Sequence, residues 1–254
     1  MLLTRVIPVL LLDNDALVKT SKYKNSQYLG DPINAVTIFN EKEVDEIVVL
    51  DITATTEQRE PNFGLIADIA SQAFMPFAYG GGIRTLEHIK LLFNLGVEKV
   101  ILNSINFEST SLIREAVSIY GAQSIVGVID VKKNIFGKKD VYAESASKPQ
   151  KIDPITWALQ LQQAGVGELL VNMVDRESSY KGYDLDLLKE ITDKIDVPII
   201  ANGGAGILSH FRDAKLIANV SAVAAGSMFV FHGKHKAVLI TYPSVNDLET
   251  IFGE

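Results

Sequence analysis

A chain of 254 residues with a formal net charge of −7 and no long basic run is poorly suited to gripping nucleic acid, which selects for clustered Lys and Arg. Without cysteine it forms neither disulfides nor thiolate metal sites, which fits a reducing cytoplasm, and nothing else in it implies a metal or cofactor. An apolar fraction of 47% and a charged fraction of 22% are those of an ordinary globular protein, and the apolar start MLLTRVIPVLLLDND is too short to span a membrane and lacks the flanks of a signal peptide.

In chain order, short β-branched runs alternate with amphipathic stretches. The first series predicts a strand over Arg5–Leu12, a helix over Asn34–Asn40, a strand over Glu46–Asp51 and a helix over Phe63–Gln72. It continues with strand Met75–Tyr79, helix Leu86–Leu95, strand Lys99–Asn103 and helix Thr110–Tyr120. The second series predicts strand Ser124–Asp130, helix Pro154–Ala164, strand Glu168–Met173, helix Leu185–Ile195, strand Val197–Ala201, helix Ser209–Ile217 and strand Ala222–Ala225. Gly96, Gly121 and Gly165 stand where helix C-caps belong. After GSMFVFHGKHK the pattern breaks: AVLITYP reads as a strand, and only VNDLETIF is helical.

Nearly continuous apolar strands suit a parallel sheet buried on both faces. Eight of them, in a chain of about the length such barrels need, predict an α/β protein with a (β/α)8 TIM barrel fold. No Pro- or Ser-rich linker divides residues 1–254, so a single domain is expected, with a doubly wound open sheet as the alternative architecture. Internal repetition favours the barrel. Tyr79-Gly80-Gly81-Gly82-Ile83 and Asn202-Gly203-Gly204-Ala205-Gly206 each end an apolar run and lie 123 residues apart, counted from Gly80 to Gly203. One strand later come Asn103-Ser104 and Gly226-Ser227, and one strand earlier Asp51 and Asp175. The chain is thus two similar half-barrels.

Glycines at such turns permit close backbone approach, and their N–H groups can bind phosphate oxygens. Gly81, Gly82, Asn103 and Ser104 make one candidate anion site, and Gly203, Gly204, Gly226 and Ser227 the other; the bland reading is that glycines also serve tight βα turns. A doubly phosphorylated small molecule would fit two such sites. Barrel enzymes place their chemistry at the C-terminal ends of strands. Asp130 ends SIVGVI and is the candidate general acid or base, or else a turn cap before VKKN. Lys19, after the first strand, and Asp175 are further candidates for substrate contact. The basic segments KYKNSQY and KKNIFGKK read as solvated loops or as mobile loops over an anionic ligand. His88, His210, His232 and His235 show no metal-ligand spacing on a common face.

The segments GDP (30–32), DITA (51–54), YGGGI (79–83), GVEKVILNS (96–104), VID (128–130), GYD (182–184), IIANGGAG (199–206) and AAGSMF (224–229) together resemble HisF, the cyclase subunit of imidazole glycerol phosphate synthase. The resemblance runs to about residue 232. It implies a HisH-type glutaminase partner, ammonia passing through the barrel, a doubly phosphorylated substrate, and catalytic aspartates ending strands 1 and 5. Asp130 matches the second aspartate. The first does not match: Leu11 stands in its place, and Asp13 lies roughly 6–7 Å farther along a strand. Two more departures fall at the same mouth. The family's DRDGT reads Asp175-Arg176-Glu177-Ser178-Ser179, and the glycine after VVK is Thr20. Arg5, Glu46, Lys99 and Glu168 match the charged ring that gates ammonia in the family, or else neutralise one another at a barrel bottom. RVIPVLLLDNDALVKT, FMPFAYGGGIRTLEH and the tail FVFHGKHKAVLITYP resemble more closely a HisF branch linked to acetamidino-sugar formation on surface polysaccharide, which implies a sugar amidotransferase as second partner.

Overall fold

The computed structural model describes residues 4–233 and 235–253. Eight parallel strands close on themselves: β1 (Arg5–Asp13), β2 (Ile47–Asp51), β3 (Phe77–Gly80), β4 (Lys99–Leu102), β5 (Ile125–Lys133), β6 (Glu168–Met173), β7 (Ile199–Asn202) and β8 (Ala222–Ala225). Each strand pairs with its neighbours in sequence order, and β8 returns to β1 with Arg5 opposite Ala222 and Pro8 opposite Ala225. The architecture is therefore the closed (β/α)8 barrel expected of the strand pattern.

Period-two alternation sorts each strand's side chains between two apolar layers. On β1, Ile7, Val9 and Leu11 enter the bore, where they meet Val48, Ile101, Val128 and Leu170. Val6, Leu10 and Leu12 face outward against Val36 and Phe39 of α1 (Pro32–Glu41) and Ile66 and Ile69 of α2 (Phe63–Gln72). The outer ring continues with α3 (Leu86–Asn94), α4 (Ser111–Tyr120), α5 (Pro154–Ala164), α6 (Leu185–Thr192) and α7 (Leu208–Ala218). Local chemistry sets their ends. Asp31 caps α1 by accepting from Asn34 N, with Pro32 in the first turn. Asp153 and Pro154 repeat the device on α5, which stops at Gly165 in the left-handed region. No described helix is long and apolar enough to cross a membrane.

Both basic segments read as loops turn out to be parts of hairpins. Ala16–Ser21 folds back on β1, and Lys24–Gly30 pairs with it in turn. After β5, Lys139–Ala143 folds back on Val131–Lys133 in the same way. The hairpin strands carry little apolar alternation, because their order comes from the backbone ladder and from contacts at the mouth. The first strand of each half-barrel thus bears a hairpin, so the internal repeat extends into segments whose sequences do not resemble each other. The tail also differs from expectation. Only Ala237–Val238 of AVLITYP is a strand, paired with Phe231–His232. Beyond it the chain docks as an irregular strap: Leu239 N donates to Val230 O, Thr241 N to Phe229 O, and Tyr242 OH to Val6 O at 2.8 Å. The helix α8 (Val245–Phe252), closed by a Ser244–Asp247 capping box, completes the chain.

Candidate functional site

At the C-terminal mouth the strand ends present Asn103, Asp130, Asn172 and Asn202 around one carboxylate. Asp130 is 2% exposed. It accepts from Asn103 Nδ2 at 2.8 Å, Asn172 Nδ2 at 2.8 Å and Tyr23 OH at 3.3 Å, and Asn202 Nδ2 in turn donates to Asn172 Oδ1 at 3.1 Å. Burial disfavours the charged form and pushes the Asp130 pKa up to about 6; the donors from Asn172, Tyr23 and Asn103 hold it from going higher. A carboxyl poised there exchanges protons readily near neutrality. Tyr23, brought in by the first hairpin, is itself partly buried. Burial and then the neighbouring Asp130 charge drive its phenol far above its ordinary range, so it is a fixed donor.

Among the described residues, no second carboxylate stands opposite Asp130 across the bore. Leu11 is 4% exposed and packs among the apolar bore residues. Asp13 has turned away into the hairpin, where it accepts from Asn14 Nδ2 and Ser26 Oγ. Asp51 is held by its own loop, accepting from Ala54 N at 2.9 Å and pairing with Arg59 at 3.2 Å. Asp175 accepts from Lys133 N at 2.7 Å and so pins the second hairpin rather than facing Asp130.

The two glycine turns share one backbone plan. Gly81 and Gly82 have φ of 121° and 69°, Gly203 and Gly204 of 91° and 115°. Asn103 (φ −127°, ψ −88°) and Gly226 (φ −108°, ψ −72°) fall in the same unusual region one strand later. The histidines repeat as well: His88 Nδ1 accepts from Arg84 N, and His210 Nδ1 from Gly206 N. The positive-φ glycines are required by close packing in either case, since a Cβ on Gly81 would lie 2.4 Å from Asp51 O and one on Gly204 2.2 Å from Gly182 O.

Side chains make the two turns unequal. Beside Gly81, Gly82, Asn103 and Ser104 opens a cavity of about 490 Å³ reaching to Asp130 and edged by Arg84 and by Lys148, which pairs with Glu144 at 3.0 Å. Beside Gly203, Gly204, Gly226 and Ser227 only about 30 Å³ is open. Lys19, 8% exposed, lies against Gly226 but is bound to Glu177 at 2.7 Å. The same carboxylate accepts from Thr20 Oγ1 at 2.8 Å and Tyr23 N at 2.9 Å. Ser178 donates to Thr20 O and meets Ser227 Oγ at 2.8 Å. Sequence reasoning put Glu177 at this mouth only as a departure from the family pattern, and gave Tyr23 no role in the site. A signal for them existed: Thr20 and Glu177–Ser179 were the departures from the family pattern, and they touch each other.

At the opposite, N-terminal end, Arg5, Glu46, Lys99 and Glu168 form one closed ring. Arg5 pairs with both carboxylates; Lys99 Nζ lies 2.9 Å from Glu46 and 3.1 Å from Glu168. Glu46 and Glu168 are 2% and 5% exposed. Burial works against the Arg5 charge, but the two carboxylates overcome it and hold the guanidinium above its ordinary pKa. Between ring and mouth the bore is lined by apolar side chains.

Comparison with known proteins gives a consistent picture. A model of the family described as "Histidine biosynthesis protein" matches residues 5–236. The chain is 51% identical over 245 residues to the "Putative imidazole glycerol phosphate synthase subunit hisF2" of Pseudomonas aeruginosa, covering 96% of this chain and 98% of that one. It is 47% identical over 250 residues to a "hisF3" protein of the same description from Vibrio vulnificus, covering 97% and 95%. With a HisF protein of that description from Leptospira interrogans it shares 42% identity over 253 residues, covering 99% and 100%.

Proposed function

The chain belongs to the HisF family, and from that premise we propose that it is a cytoplasmic synthase subunit that takes ammonia from a HisH-type glutaminase and passes it through the barrel to a separate amidotransferase of acetamidino-sugar formation on surface polysaccharide. The reading is carried by the contrast between the two ends of the bore. The ring of Arg5, Glu46, Lys99 and Glu168 is intact, whereas Leu11 leaves Asp130 without a facing carboxylate. A ring of four charges whose two carboxylates are buried costs desolvation. Admission of a small polar molecule would give that cost a purpose. Ammonia is neutral and small enough to cross an apolar bore once past the ring. The cavity beside Gly81, Gly82, Asn103 and Ser104 is the part of the mouth suited to a phosphorylated small molecule.

The alternative reading is a working cyclase of imidazole glycerol phosphate synthase in histidine biosynthesis. It draws on Asp130, whose pKa near 6 suits proton transfer at neutral pH. Lacking its acid–base partner, such an enzyme should be slower by roughly 10²–10⁴-fold. The two readings separate on one experiment. The purified chain is mixed with the cognate glutaminase and ¹⁵N-amide glutamine, with the imidazole-pathway substrate or with the sugar amidotransferase and its substrate. Label in the sugar product, with little turnover of the imidazole substrate, supports the proposal. Efficient imidazole glycerol phosphate formation overturns it in favour of the cyclase. Separate elution of the two proteins, with glutamine hydrolysis unchanged on mixing, overturns both.

A further inference from the structure

The two half-barrels offer matching backbone frames for an anion, yet one frame is open and the other is filled by the chain itself. In the second frame the cation is Lys19, buried against Gly226. Its charge is already met by the Glu177 carboxylate, whose oxygens also take the Thr20 hydroxyl and the Tyr23 amide. Three donors converging on one anion from separate residues are what a phosphate oxygen cluster would otherwise receive. Ser227 is turned to Ser178, whereas its counterpart Ser104 accepts from Glu144 N at 3.0 Å at the edge of the open cavity. Against Gly206, Tyr180 fills the remaining space, so that a Cβ on that glycine would meet its side chain at 2.6 Å. Tyr23 and Leu50 line both the large cavity and the small one and stand between them as a partition.

We propose that Glu177 is a built-in anion that takes the place of a ligand's second anionic group, so that the mouth accepts a small molecule with a single phosphate, seated in the first half-barrel. The ligand class is thus a phosphate monoester carrying one anionic terminus rather than a molecule phosphorylated at both ends. This inference rests on the phosphate-binding part of the proposed function and not on ammonia delivery, which is read separately by co-elution with the glutaminase.

Titration calorimetry with ribose 5-phosphate and ribulose 1,5-bisphosphate as probes tests it. The wild-type chain should bind both with dissociation constants within about threefold, because the second phosphate finds no free partner. Glu177→Ala releases Lys19 and Thr20 and should shift preference toward the bisphosphate by tenfold or more. Glu177→Gln keeps one acceptor, enough for Lys19 and Thr20, which share a single carboxylate oxygen, while removing the charge and the acceptor of Tyr23 N. It should fold where the alanine variant does not and show a smaller shift in the same direction. The proposal is overturned if the wild type prefers the bisphosphate by tenfold or more, if it binds neither probe, or if neither variant moves the ratio.

Discussion

The substitution Asp130→Asn should make the protein more stable at pH 8 and not at pH 4. An ordinary aspartate titrates at 3.8, and burial pushes Asp130 up to about 6. At 1.36 kcal/mol per pKa unit the difference corresponds to about 3 kcal/mol. The direction follows from which state binds the proton more tightly. The folded state does, so the favourable contribution is complete below the unfolded pKa and is lost as pH rises through about 6. Above that, the folded chain holds a buried carboxylate at a cost. The substituted carboxamide would carry no charge, and its carbonyl would still accept from Asn172 and Tyr23. Its NH2 group would face Asn103, whose Oδ1 is buried without a hydrogen-bond partner among the described residues, so a rotation of the Asn103 amide supplies the acceptor. Allowing for that rearrangement, the gain at pH 8 is about 2 kcal/mol, or roughly 4–8 °C in melting temperature for a chain of this size. Urea unfolding of wild type and variant at pH 4 and pH 8 measures it. A difference independent of pH, or a variant less stable at pH 8, would refute the assignment of Asp130 as a strained buried carboxylate.

Three further outcomes are expected. Lys99→Ala leaves Glu46 and Glu168 with Arg5 alone and should cost about 3 kcal/mol in urea unfolding, while Lys99→Met, which fills the volume without the charge, should uncouple glutamine hydrolysis from ammonia transfer if the ring is a gate. Tyr242→Phe removes the hydroxyl bond to Val6 O and should cost about 1 kcal/mol, with faster hydrogen exchange over residues 237–243 than in the wild type. Leu11→Asp places a carboxylate among apolar bore residues and should lower stability by about 3 kcal/mol at pH 7. With the imidazole-pathway substrate, its rate should rise further when Glu177→Ala is added; a rate unaffected by the second change would show that the Glu177 cluster does not obstruct that substrate.

The strands were legible because each is buried on both faces and so reads as an unbroken apolar run, as in Ile125–Asp130 or Glu168–Met173. Their ends were less so: Ser124 belongs to a short 3-10 turn, and β3 begins at Phe77 rather than Met75. The hairpins escaped notice because Lys24–Gly30 and Lys139–Ala143 carry no clean alternation. What orders them is distant in sequence: Glu177 binds Tyr23 N, and Asp175 binds Lys133 N. The same limit applies to the mouth. That Asp130 ends a strand can be read from SIVGVID, but that a tyrosine from another hairpin donates to it, or that Thr20 and Glu177 meet, depends on closure of the barrel. Position along a strand is local information, and the company a side chain keeps is not.

The likeness of the two glycine turns in backbone, and their difference in contents, shows how a doubled fold can diverge. A barrel made of two like halves holds a spare copy of each loop geometry. One copy can be stoppered by a few side chains at positions 19, 20, 177, 178 and 180 without disturbing a single barrel ladder. For protein engineering this separates two problems that are usually entangled. The strands and turns can be kept as a fixed chassis, and the number of charged ends a ligand must have can be reset by exchanging a handful of side chains in one half alone.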